Sequence, residues 1–132
     1  EMRRFFFTVD QAVNLVIAAL ENKELVAGKV LSRHMKSAML SDVLEVWTTV
    51  FGGTSSVGDM RPGERQDEYL IGELELEYTT RLYLDNIEHY LIDFNCKAMK
   101  PLEATLSSFT TTRLTIEEIR ELITKEPKEE IL

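Results

Sequence analysis

The stretch DMRPGERQDEYLIGELE, residues 59–75, places Arg61 and Arg65 around a Pro-Gly pair in a chain whose formal net charge is −8. A guanidinium beside free backbone N–H groups makes a phosphate site, because its planar fork of donors meets two oxygens at once. Arg61 stands immediately before Pro62 and Gly63, and Glu64, Asp67 and Glu68 follow, carboxylates that suit the positive end of a helix. The pattern predicts a strand through TSSVGDM (54–60), a tight turn at Pro62 and Gly63, and a helix opening after it, with an anion held at the junction. The competing reading is a surface turn alone, in which Pro62 fixes φ and Gly63 permits the bend. That reading explains the geometry but leaves Arg61 unexplained.

The charge distribution points to the same region. Residues 1–65 balance eight basic against eight acidic side chains, whereas residues 66–132 hold seven basic and fifteen acidic. An anionic ligand is therefore expected on the first half, near Arg3, Arg4 and Arg61. Nucleic acid is excluded as a partner by so acidic a surface, since phosphate neutralisation dominates that kind of binding.

At 132 residues and 44% hydrophobic, the chain is one globular domain with a core of ordinary size. No apolar run approaches the roughly 20 residues of a membrane helix, and the Phe5–Phe7 run is too short for a signal peptide, so the expectation is a soluble, intracellular protein without membrane insertion. Cys96, the single cysteine, is expected to be a buried inert thiol; His34 and His89 form no metal-ligand spacing and are expected to pack or to be solvated. The six glycines form no dinucleotide fingerprint, and two histidines suggest no nucleophilic triad.

The positioning elements follow from local signals. Thr8 can cap a helix over about 9–22, where Val9, Ala12, Val13, Val16, Ile17 and Leu20 recur at helical spacing. GKVLS (28–32) reads as a short strand. A second helix starts at Ser37 or Ser41, runs through Val50 with Trp47 in its apolar pattern and hence in the core, and stops at Gly52 and Gly53. TTRLYL and EHYLIDF form a hairpin about Asp85 and Asn86. Pro101 breaks the chain, and the polar segment SSFTTTRL leads to a capping box at Thr115 and Glu118. The helix that follows has Ile116, Ile119, Leu122 and Ile123 on one side, is ended by Pro127, and leaves a charged, frayed tail.

Three segments in order, MRRFFFTVDQAV (2–13), RPGERQDEYLI (61–71) and SSFTTTRLTIEEIRELI (107–123), resemble the C-terminal part of bacterial nucleotide-sugar dehydratases of polysaccharide biosynthesis. These are extended short-chain dehydrogenases, among them the UDP-N-acetylglucosamine 4,6-dehydratases. The resemblance spans most of the chain, and the Arg-Pro-Gly-Glu element is its specific part. It departs from the family pattern at Arg3, usually threonine, at Asp67, usually histidine, and at Thr111, often asparagine.

The resemblance implies an α/β fold, a small mixed sheet with packed helices, which is the C-terminal part of an extended short-chain dehydrogenase lacking its Rossmann half. It implies a nucleotide-sugar-binding domain over 1–126 and a charged tail over 127–132. Arg61 would meet the UDP diphosphate, Glu64 would accept the ribose hydroxyls, and Arg4 would serve the diphosphate or the domain junction. The cofactor, NAD or NADP, and the Tyr-x-x-x-Lys catalytic pair would lie in the preceding Rossmann half, since none of Tyr69, Tyr78, Tyr83 and Tyr90 has a lysine four residues later. In such enzymes the cofactor takes a hydride from sugar C4, water leaves across C5 and C6, and the hydride returns to C6. The resemblance further implies a UDP-sugar as ligand, a homo-oligomer and a cytoplasmic location. The alternative is a catalytically silent interaction module on the same scaffold.

Overall fold

The computed structural model describes residues 1–125, so the tail and Pro127 lie outside the described residues. Strand β1 (Arg3–Phe6) leads into helix α1 (Val9–Glu21), the one-turn helix α2 (Lys23–Val26), and strands β2 (Val30–Arg33) and β3 (Lys36–Met39). Helix α3 (Leu40–Phe51) follows, then a long connection to β4 (Tyr69–Ile71). A 3-10 segment (Glu73–Tyr78), strands β5 (Thr79–Leu84), β6 (Ile87–Ile92) and β7 (Leu106–Ser107), and helix α4 (Ile116–Thr124) complete the order.

The mixture of helices and small sheets is as expected, but the strands divide into three antiparallel sheets: β1–β3, β2–β6–β5 and β4–β7. Two cores result. Ile71, Tyr90, Ile92 and Leu102 pack under the three-stranded sheet, and Ala38, Val46 and Ile119 join β3, α3 and α4 with Phe6 and Leu114 beside them.

Local chemistry explains the elements that form. Thr8 Oγ1 accepts the Gln11 N–H at 3.1 Å and Gln11 Oε1 accepts the Thr8 N–H at 2.9 Å, a reciprocal capping box that opens α1. Thr115 and Glu118 do the same for α4. Asp85 and Asn86, at φ of 51° and 61°, make the two-residue turn whose twist matches that of β5 and β6. Gly52 and Gly53, at φ of 77° and 98°, end α3.

Several expectations are corrected. Helix α3 is not capped by Ser37 or Ser41. It starts after Met39, where the Leu40 N–H is satisfied by the Met2 carbonyl at 3.0 Å, and Ser37 is instead fully buried in β3. TSSVGDM forms no strand, and residues 52–66 are exposed throughout. Its two apolar residues, Val57 and Met60, do not alternate, and no neighbouring strand pairs with it, so nothing compensates the entropy of extending it. No helix follows Gly63. The chain passes into β4 because its backbone groups bond to β1 and to Ser108.

Trp47 is half-exposed and stacks on Phe51 with ring centroids 4.6 Å apart, and Cys96 is exposed rather than buried. Both lie on surfaces that the apolar pattern alone cannot tell from a core. His89 packs as expected, buried with Nδ1 2.8 Å from the Ile87 carbonyl, and His34 lies 3.4 Å from the Tyr90 hydroxyl. Helix α1 leaves an apolar stripe uncovered: Val9, Val13, Val16, Ile17 and Leu20 are each between 44% and 79% exposed. Among the described residues no helix is long and apolar enough to cross a membrane, and no His/Cys/Asp/Glu group could hold a metal ion.

Candidate functional site

The turn at Arg61 is closed twice. Gly63 at φ of 86° after Pro62 gives the third residue of a type II turn the left-handed conformation it requires, and the Glu64 N–H donates to the Arg61 carbonyl at 3.1 Å. The Arg61 N–H donates in turn to Glu64 Oε2 at 2.8 Å. The carboxylate therefore spends one oxygen on the turn, and the other makes no hydrogen bond to the described residues. The Arg61 guanidinium is on the exposed surface, and with no helix after the turn, no helix N–H groups join it. Any anion here is held by the guanidinium and the turn, not by a helix dipole.

Arg4 binds the segment after this turn to β1. Its Nη1 donates to the carbonyls of Arg3 at 2.7 Å and Gln66 at 3.2 Å, its Nη2 to the Arg65 carbonyl at 3.0 Å, and its Nε lies 3.2 Å from Glu68 Oε1. Every nitrogen of the guanidinium is engaged, so Arg4 would have to exchange a contact to meet a diphosphate. Glu68, expected in the first turn of a helix, is its ion-pair partner on a loop. Arg3 pairs with Asp67, its Nη1 3.2 Å from both carboxylate oxygens, and lies with its guanidinium carbon 4.8 Å from the centroid of the Phe109 ring.

Ser108 was not singled out by the sequence, and it joins all three motifs. Its buried hydroxyl accepts the Glu68 N–H at 2.9 Å and can donate to Asp67 Oδ1 at 3.2 Å or to the Arg3 carbonyl at 3.3 Å. Its carbonyl accepts from Ser37 Oγ at 2.6 Å. Backbone bonds from Ser37 to Thr112 and from Leu114 to Ser37 hold the third segment against β3, and Thr111 Oγ1 donates to the Met35 carbonyl at 2.7 Å. Residues near 3, 66 and 108, remote in sequence, therefore meet in one network. The available signal was the serine pair at 107 and 108, whose partners sequence could not specify.

A cavity of about 350 Å³ lies elsewhere, between the start of α1, the β2–β3 connection and α4, lined by Phe6, Arg33, His34, Lys36 and Glu118 among others. Lys36 and Glu118 are paired across it at 2.7 Å, and none of Arg4, Arg61 and Glu64 borders it.

Residues 1–88, which contain β1, the Arg61 turn and its anchor, match the polysaccharide biosynthesis protein family. The chain belongs to this family. The polysaccharide biosynthesis match takes in the first two of the three convergent segments, and the third is joined to them by structure. Among solved structures, the chain is similar to Pen from Bacillus thuringiensis, at 26% identity and a TM-score of 0.72. The similarity covers 92% of this chain and 38% of that one, so the chain spans well under half the length of Pen. No curated protein matches it.

Proposed function

We propose that the chain is the substrate-binding part of a UDP-sugar 4,6-dehydratase or epimerase, UDP-N-acetylglucosamine-like in its substrate, in bacterial surface-glycan biosynthesis. The observation that carries this reading is the self-closed Arg61–Glu64 turn, presented on the surface and anchored by a network that joins all three segments. Arg61 meets the diphosphate, the free oxygen of Glu64 accepts ribose hydroxyls, and Arg4 holds the segment in place and is the second candidate for the diphosphate.

The hydride chemistry is assigned to a cofactor-binding Rossmann half. The residues described here do not fit a dinucleotide: α1, α3 and α4 open after Thr8, Met39 and Thr115, with no glycine turn to bring a pyrophosphate onto their N–H groups. The uncovered apolar stripe of α1 supports the presence of such a half, as does the limited share of Pen that the chain spans. The same stripe is what favours the second reading, an interaction module that docks another protein. Cytoplasmic location and assembly into a homo-oligomer go with the first reading.

Titration of UDP tests it. Arg61→Ala should weaken binding by about 1.5–3 kcal/mol, the worth of a hydrogen bond to a charged group. An affinity unchanged by that substitution removes Arg61 from the site.

A further inference from the structure

Arg3 and Asp67 both depart from the pattern the chain resembles, and the structure places them against each other. The Arg3 side chain is 13% exposed, with Nη1 3.2 Å from each Asp67 oxygen and its guanidinium over Phe109. Its Nε is buried without a hydrogen-bond partner among the described residues, so the carboxylate and the aromatic face are what offset the desolvation of the charge. Removing Asp67 leaves Arg3 with the Glu1 carboxylate at 4.0 Å, and removing Arg3 leaves Asp67 with the Ser108 hydroxyl at 3.2 Å, so either change alone breaks the close contact.

The position of the pair matters for the turn. Residues 53–60 make no backbone hydrogen bond among the described residues, so the turn at 61–64 is held from its C-terminal side alone. There the Arg3 N–H bonds the Gln66 carbonyl at 2.8 Å, Arg4 reaches the Arg65 and Gln66 carbonyls, and the Ser108 N–H bonds the Glu68 carbonyl at 2.8 Å, which leaves Asp67 as the residue held by its side chain alone. The Arg3 guanidinium on the Asp67 carboxylate and the Ser108 hydroxyl on Asp67 and Glu68 complete the hold between these anchors.

We infer that Arg3 and Asp67 are a coupled positioning pair that fixes the direction in which the Arg61–Glu64 turn faces its ligand. For the identity of the ligand this rests on the nucleotide-binding reading above; the coupling itself does not.

The test is a cycle of four 132-residue chains: unmodified, Arg3→Thr, Asp67→His, and the two together. Two quantities are read in each, the exchange rate of the Glu64 and Glu68 amides and the affinity for UDP. Each single substitution is expected to speed exchange and weaken UDP binding about tenfold, the size of coupling seen between residues in contact, and the double to lose no more than about the same tenfold, because either change alone already breaks the shared contact. Effects in the double equal to the product of the singles would overturn the inference. So would single variants that melt lower but, measured while folded, keep both amide exchange and UDP affinity unchanged, since that is a purely structural role. If Arg3→Thr does not fold, Arg3→Lys keeps the charge without the fork and should give an intermediate loss in both readouts; no loss counts against the pair. If none of the four chains binds UDP, alone or with the Rossmann half supplied, the nucleotide reading fails while amide exchange still decides the coupling.

Discussion

Ser108 carries more of the site's architecture than any residue that the motifs named. Its hydroxyl satisfies the Glu68 N–H and touches both Asp67 and the Arg3 carbonyl, all in a fully buried position. Ser108→Ala should lower the unfolding free energy by about 1–3 kcal/mol, the cost of leaving a buried donor unmade, as measured by urea denaturation. A change near zero would mean that the three segments are held without it. At this scale the sequence was legible where chemistry is local: Pro62 and Gly63 specify a type II turn by their own φ preferences, and Glu64 closes it from three residues away. It was not legible for Arg4, whose partners are carbonyls more than sixty residues distant, and a serine in a polar segment gives no sign that it is a junction.

The elements divide by the same rule. Helices α1 and α4 and the β5–β6 hairpin were readable because their caps and turn lie within four residues of sequence. Strand β3 was hidden because only its pairing with β1 defines it, and TSSVGDM was misread as a strand because strand-like composition does not supply a partner. The misplaced strand also produced the misplaced helix after Gly63, and with it the expectation of a helix dipole at the anion site.

Two predictions belong to elements. Replacing Asn86, which sits at φ of 61°, by valine should cost about 1–2 kcal/mol, because a branched side chain is strained in the left-handed region; thermal unfolding reads it. At the start of α4, the hydrogen bond from Lys36, and after it the Thr115 N–H, hold the Glu118 carboxyl below its usual value of 4.5. A depressed carboxyl contributes stability that is present above its unfolded value and lost as pH falls through the folded one. Stability should therefore decline on acidification below about pH 4.5, and Glu118→Gln should flatten that decline; an identical acid limb in both proteins would contradict the pairing.

At the scale of the whole molecule, the anchored Arg61 turn and the uncovered apolar face of α1 stand out. The stripe on α1 has the spacing of a core-facing helix but no core beneath it, which is how its periodicity was legible while its burial was not. Val16→Glu with Leu20→Lys should change stability by no more than about 0.5 kcal/mol, because both positions are largely exposed, yet abolish association with a separately supplied Rossmann half in size-exclusion chromatography. Retained association would place that half elsewhere. The family match and the convergence of three distant segments just after the Arg61 turn make nucleotide binding the central claim, and isothermal titration with UDP tests it most directly, first on this chain and then with the Rossmann half supplied. The account predicts heat of binding in at least the second titration, sharply reduced in Arg61→Ala. No binding in either, or binding indifferent to Arg61, would contradict it.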